Sequence, residues 1–247
     1  MTSLEFPTAK KRKRPRIPDG LRIYAIGDIH GRVDLLNNIF ERIDADLKSN
    51  PITNSVQVFV GDYIDRGPDS REVLDRLVER KGTHQTVFIK GNHETFLPSF
   101  LADPSVLSDW QRLGGLETLM SYGILPSINP DRPAQVRLAA ALDRAFPDSH
   151  RKFLADTRLS YSCGDFFFVH AGIRPGIPLE GQHEDDLLWI RWEFLDCEDD
   201  FGKVIIHGHT PVPQVDIRPN RINIDTGAYA TGQLTCLVLE SDEMRLI

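Results

Sequence analysis

The stretch Gly61-Asp62-Tyr63-Ile64-Asp65-Arg66-Gly67 sets two carboxylates three positions apart, with a guanidinium beside the second and a glycine at each end. One carboxylate could hold a cation, the other could orient a base, and the guanidinium could bind an anion. A plain charged turn has the same composition, so the stretch alone is a hypothesis. Four more stretches repeat its grammar: Gly27-Asp28-Ile29-His30-Gly31, Lys90-Gly91-Asn92-His93-Glu94, His170-Ala171-Gly172 and His207-Gly208-His209-Thr210-Pro211. Each follows a β-rich apolar run and places Asp, Asn or His beside Gly. Glycine lets the backbone turn sharply and approach a ligand closely. Asp, Asn and His are oxygen and nitrogen ligands suited to Zn, Fe or Mn.

The elements that must position these groups can be read from the flanking residues. Runs at 21–26, 56–60, 86–89, 166–169 and 203–206 read as buried strands. Polar residues just beyond the carboxyl end of such strands are where α/β proteins bind ligands. Between the first two runs, residues 33–47 carry Leu36, Ile39, Phe40, Ile43 and Leu47 at helical spacing, stopped by Asn50-Pro51. Residues 70–79 repeat the pattern with Val73, Leu74, Leu77 and Val78. Strands alternating with amphipathic helices predict an α/β architecture with parallel pairing. Runs at 221–224 and 234–239 supply later strands. Residues 95–159 lack the strand-end pattern. They hold Trp110, the turn Gly114-Gly115, a proline-bearing loop at 126–133 and a helical run near 134–145. They read as a helical, cap-like insertion that shapes a substrate mouth, because insertions commonly carry specificity.

Composition sets bounds. A chain of 247 residues can bury a sizeable core in one large or two small domains. Hydrophobic and charged fractions of 40% and 26% are ordinary for a globular protein. A net charge of −7 argues against a nucleic-acid partner. No apolar stretch approaches the ~18 residues of a membrane span, and no apolar segment follows the early charges as in a secretory signal. A cytoplasmic location without a membrane partner is therefore expected. Cys163, Cys197 and Cys236 form an odd set without close pairing, which suits reduced thiols. The basic run at 10–16 could be an import or phosphate-binding signal. It is read as part of a flexible basic arm, 1–20, ahead of a single domain at 21–247.

The motifs GDIHG, GDYIDRG, GNHE, HAG and HGHT, in this order, resemble the calcineurin-like metallophosphoesterases. Within that superfamily they are most similar to the phosphoprotein phosphatase branch, in its small bacterial and phage Ser/Thr form. The resemblance covers about 21–239. It implies a four-layer αββα sandwich of two mixed sheets flanked by helices, with the helical insertion near the active site. It implies two divalent metal ions, Mn²⁺ first and Fe or Zn as alternatives. Asp28, His30 and Asp62 would hold the first, and Asp62, Asn92, His170 and His209 the second. Such ions sit about 3.5–4 Å apart and would lower the pKa of a bridging water, so the implied nucleophile is a hydroxide shared by both metals.

His93 would protonate the leaving group and Asp65 would fix its tautomer. Arg66, Arg191 and Tyr229 would bind substrate, Arg191 from a Trp-Ile-Arg-Trp-Glu segment similar to the family's W-x-R-x-E. Glu94 is read as structural, and His207 as packing or as support for a ligand. Arg174 would lie near the site, and His84, His150 and His183 on the surface. Pro211, where related phosphodiesterases carry another His, favours monoester phosphatases over nucleases.

The expected function is hydrolysis of phosphoserine and phosphothreonine, with phosphotyrosine as a further substrate, in a phosphoprotein or phosphopeptide partner. The alternatives are a bis(5'-nucleosyl)-tetraphosphatase on the same scaffold and an inactive binding module. The choice rests on the 95–159 segment, which offers few aromatics as nucleobase platforms, Trp110 and Tyr122 being the clearest, and on an overall negative charge that does not attract a polyanion. The oligomeric state is left open.

Overall fold

The computed structural model describes residues 2–6, 14–127 and 129–247. Eleven strands are present among them: β1 Thr2–Leu4, β2 Leu21–Ile26, β3 Asn54–Phe59, β4 Thr86–Phe88, β5 Ser160–Cys163, β6 Phe166–Val169, β7 Val204–His207, β8 Asp216–Ile217, β9 Arg221–Asn223, β10 Cys236–Glu240 and β11 Glu243–Leu246. They form one six-stranded sheet, β1-β11-β10-β2-β3-β4, and one five-stranded sheet, β5-β6-β7-β9-β8. Pairing is parallel for β2-β3-β4 and for β6-β7-β9, and antiparallel toward the edges. Both sheets are mixed, as expected for this α/β sandwich.

Side-chain alternation explains the layers. Ile23, Ala25, Val56 and Val58 from the first sheet meet Phe166, Phe168, Val204 and Ile206 from the second in one core cluster between the sheets. The opposite faces are also covered, which is why these strands read as continuous apolar runs. Tyr24, Ile26 and Phe59 pack beneath α1 (Val33–Ser49) and α2 (Ser70–Thr83), through Leu36, Ile39, Ile43, Val73, Leu74 and Leu77. Phe167, Val169 and Ile205 pack against Leu187, Ile190 and Phe194, in and beside two short helices, Glu184–Trp189 and Trp192–Leu195.

Residues 95–159 are helical. They run from within α3 (His93–Ala102) through α4 (Leu107–Trp110), α5 (Gly115–Ser121), α6 (Arg132–Ala145) and α7 (Asp148–Ala155). Trp110, Leu119, Tyr122, Leu142 and Phe153 belong to the same apolar cluster as α1 and α2. The insertion is therefore packed into the body of the fold.

Three local expectations are corrected. The N-terminal arm is not free throughout, because Thr2–Leu4 pairs antiparallel with Glu243–Leu246 and Ile17 is buried in the inter-sheet core; the basic run at 10–13 lies outside the described residues. His150 is not on the surface: it is fully buried, with Nδ1 2.7 Å from the Tyr122 hydroxyl and Nε2 2.9 Å from Asp75. Trp110 and Tyr122 are buried too, so neither can serve as a platform at a mouth. The three cysteines are unpaired. Among the described residues no helix is long and apolar enough to cross a membrane.

Candidate metal centre and phosphate mouth

Parallel register brings the motifs together. Ile26 pairs with Phe59 and Phe59 with Phe88, so the turns after β2, β3 and β4 leave the first sheet on one edge. Phe168 pairs with Ile206 and Ile206 with Ile222, so the turns after β6, β7 and β9 leave the second sheet likewise. Close approach of these turns needs glycine, most plainly beside the carboxylates. A Cβ on Gly91 would clash with the Asp62 carboxylate, and one on Gly208 would clash with the Asp28 carboxylate.

Asp62 lies at the centre. Its Oδ2 is 3.4 Å from His30 Nε2 and 3.7 Å from His93 Nε2, while its Oδ1 is 3.4 Å from His170 Nε2. Two groups able to hold a cation result, His30-Asp62-His93 and Asp62-His170-His209, and they share Asp62. Asn92 Oδ1 lies 2.9 Å from both His170 Nε2 and His209 Nδ1. Asp28 Oδ2 accepts from the His209 backbone N–H at 2.9 Å, and its Oδ1 is buried without a partner among the described residues. His30 Nδ1 lies 3.0 Å from the Ile64 carbonyl and His170 Nδ1 3.0 Å from the Val60 carbonyl. Those contacts make each Nδ1 the donor and leave each Nε2 as a lone pair facing the carboxylates, the tautomer a metal ligand needs.

Charge follows the same logic. Burial pulls His30 down to about 3 and His209 down to about 2, so both imidazoles are neutral. Burial pushes Asp62 up, but His170, His93 and His30 outweigh it and hold the carboxyl below its usual range. Burial, Asp225 and Asp62 raise Asp28. A cluster of buried carboxylates with an orphaned oxygen is costly without a cation, so the donor set fits a divalent metal pair.

The remaining expected residues also reach the centre. His93 Nδ1 is 2.8 Å from Asp65 Oδ2, which leaves Nε2 facing Asp62 and 3.3 Å from Arg66 Nη2. Burial pulls His93 down, but Asp62 and Asp65 outweigh it and raise it above the ordinary histidine value. Arg66 lies 4.6 Å over the Tyr229 ring, whose centroid is 5.4 Å from that of the His30 ring in an edge-to-face arrangement. Arg191 Nη1 donates to Thr210 Oγ1 at 3.0 Å. Burial and nearby Arg66 both lower the Arg191 pKa. Neither guanidinium pairs with a carboxylate among the described residues. Arg174 is instead held by Asp186, 2.9 Å from its Nε.

Glu94 is structural, as read. It accepts from the backbone N–H groups of Asp62, Tyr63 and Gly91 at 2.8–2.9 Å and so shapes the turn that carries Asp62. His207 faces the Phe194 ring at 5.0 Å in the second sheet's core. The missed residues support Asp65: Trp110 Nε1 donates to Oδ2 at 2.9 Å and Thr118 Oγ1 to Oδ1 at 2.6 Å. Trp110 stood out in the sequence for another role, and Thr118 carried no signal. Among the described residues, five of the seven non-glycine residues with positive φ belong to this site: His30, Asp62, Asp65, Arg66 and His209.

A family model described as calcineurin-like phosphoesterase matches residues 21–234. A bis(5'-nucleosyl)-tetraphosphatase PrpE [asymmetrical] from Anoxybacillus flavithermus is 26% identical over 231 residues, spanning 86% of this chain and 88% of its own. A protein of the same name from Halalkalibacterium halodurans is 29% identical over 229 residues, spanning 86% and 87%. A solved structure described as a candidate diadenosine tetraphosphatase superposes with a TM-score of 0.62 at 20% identity, covering 92% of each chain. A mutant cold-active protein tyrosine phosphatase superposes at 0.58 with 14% identity, covering 93% and 80%; both structural likenesses bear on the fold alone. The expectation of a phosphoprotein phosphatase with a phosphopeptide partner is thereby corrected, since these near full-length relatives carry the name of the alternative. The physical reason is that the platforms were sought in the wrong segment. The large rings left exposed around Arg66 and Arg191 are Trp189, Trp192 and Tyr229, outside 95–159.

Proposed function

The chain belongs to the calcineurin-like phosphoesterase family, and on that premise we propose that it is a bis(5'-nucleosyl)-tetraphosphatase, a hydrolase that cleaves the polyphosphate bridge of a dinucleoside tetraphosphate. The observation that carries the choice of substrate is the name shared by relatives that match some 86% of the chain. The geometry supports it: two guanidiniums free of carboxylates face one buried centre, with exposed aromatic rings beside them.

Asp28, His30, Asp62, Asn92, His170 and His209 would hold two divalent ions, which supply Lewis acidity and lower the pKa of water. Mn²⁺ is the first choice, with Fe or Zn as alternatives that the mixed nitrogen and oxygen donors also suit. Asp62, common to both donor groups, would contribute to both positions. Arg66 and Arg191 grip phosphoryl oxygens through planar forks that match phosphate geometry. Tyr229 backs the Arg66 guanidinium. His93, oriented through Nδ1 by Asp65, turns Nε2 toward the reacting phosphorus and gives its proton to the departing phosphate. Water adds to one phosphorus, the bridging P–O bond breaks, and asymmetrical cleavage yields a nucleoside triphosphate and a nucleoside monophosphate.

The test is kcat/KM for diadenosine tetraphosphate and for a phosphoserine peptide, on one preparation with Mn²⁺. A preference for the dinucleotide of at least about tenfold, some 1.4 kcal/mol, is expected. Equal or reversed preference would remove the reading.

A further inference from the structure

A cavity of about 680 Å³ adjoins the candidate centre on the second sheet, within the roughly 300–1,000 Å³ of small-molecule sites. Thr210 joins the two: it lines the cavity, and its Oγ1 accepts from Arg191. Three features of this cavity have no part in the chemistry described above. Trp192, next to Arg191 in the chain, leaves 66% of its surface exposed on the rim. Arg221 is only 8% exposed, yet its Nε has no hydrogen-bond partner, and it makes no ion pair among the described residues. Its Nη1 reaches Asn220 Oδ1 only at 3.4 Å. Asp196 and Glu198 supply acceptors, whereas Asp216 is held by Arg218 at 2.8 Å. Acids and bases nearly balance, which suits a neutral ring with hydroxyls better than a further phosphate.

We propose that this cavity is a nucleoside subsite, holding one terminal nucleoside of the dinucleotide while its phosphates lie across Arg191 and Arg66; it rests on the tetraphosphatase reading. Trp192 stacks on the base, the carboxylates accept from sugar hydroxyl or base amino groups, and Arg221 donates to a base acceptor. Stacking on an aromatic side chain is sequence-tolerant, so the subsite favours any nucleoside over none.

The experiment measures kcat/KM for diadenosine tetraphosphate and for p-nitrophenyl phosphate, which has no nucleoside, in the wild type, Trp192→Ala and Trp192→Phe. The ratio of the two on one preparation cancels any misfolded fraction. Trp192→Ala should lower that ratio about 5- to 100-fold, chiefly through KM, and Trp192→Phe should restore most of it. A ratio within about twofold of wild type in Trp192→Ala, with wild type still cleaving the dinucleotide, overturns the subsite and leaves the tetraphosphatase reading standing. A wild type that fails on the dinucleotide overturns both.

Discussion

Replacing His93 by Asn should separate two kinds of leaving group. The imidazole is almost fully buried, and its Nδ1 sits 2.8 Å from an Asp65 carboxylate that Trp110 and Thr118 hold in place. Its Nε2 is thereby aimed at Asp62 and Arg66, the side on which the proposed reaction places the phosphorus. Burial lowers its pKa, but Asp62 and Asp65 outweigh burial and raise it, the direction an acid requires. Loss of a general acid typically costs about 10²–10⁴-fold. That cost depends on how much the departing oxygen needs a proton. A phenol leaves with a pKa of about 10 and a phosphate with one of about 6, roughly four units apart. His93→Asn should therefore slow phenyl phosphate about 10³-fold but diadenosine tetraphosphate only about tenfold. Both kcat values are read at pH 7 with saturating metal, after confirming that metal content is unchanged. Equal losses on the two substrates would mean that His93 holds metal or substrate and is not the acid.

Asp62→Asn should cut the bound-metal stoichiometry of two and abolish most turnover, measured by elemental analysis and kcat; two retained metals with near-normal turnover would dismiss the shared position. Thr118→Val leaves Asp65 Oδ1 without its 2.6 Å donor, a loss of about 1–3 kcal/mol to be read from the urea midpoint, with a drop in kcat that a distant packing change would not cause. Burial lowers the His150 pKa, so the neutral ring contributes stability that is complete above its unfolded value of about 6.5 and is lost as pH falls below it. Urea midpoints at about pH 7.5 and 5.5 should then differ more in wild type than in His150→Gln, which cannot titrate.

The strand-and-turn layout was legible because each buried run ends in chemistry that surfaces do not need. The helices α1 and α2 showed their apolar stripes for the same reason. The short strands β1, β5, β8 and β11 were not anticipated: they are two to four residues long, too short for alternation to stand out. The metal and phosphate residues sat in local motifs, and the structure brings them to one centre. Thr118 and His150 owe their roles to partners 53 and 75 positions away, which spacing cannot reveal. The substrate was misjudged because ring exposure, not ring count, decides a platform. Trp110 is wholly buried while Trp192 is 66% exposed, and nothing local distinguishes them.

The left-handed backbone at His30, Asp62, Asp65, Arg66 and His209 places a conformational cost at the positions on which the proposed reaction depends. Each such residue costs about 1–2 kcal/mol relative to a glycine, and these side chains are the ones the proposed reaction would use. Mutation to glycine at any of them would relax the local backbone, but at Asp65 it would also leave the buried Trp110 and Thr118 donors unpaired. Glycine at these positions in a family member would mark a protein that lacks the side chains of the proposed reaction.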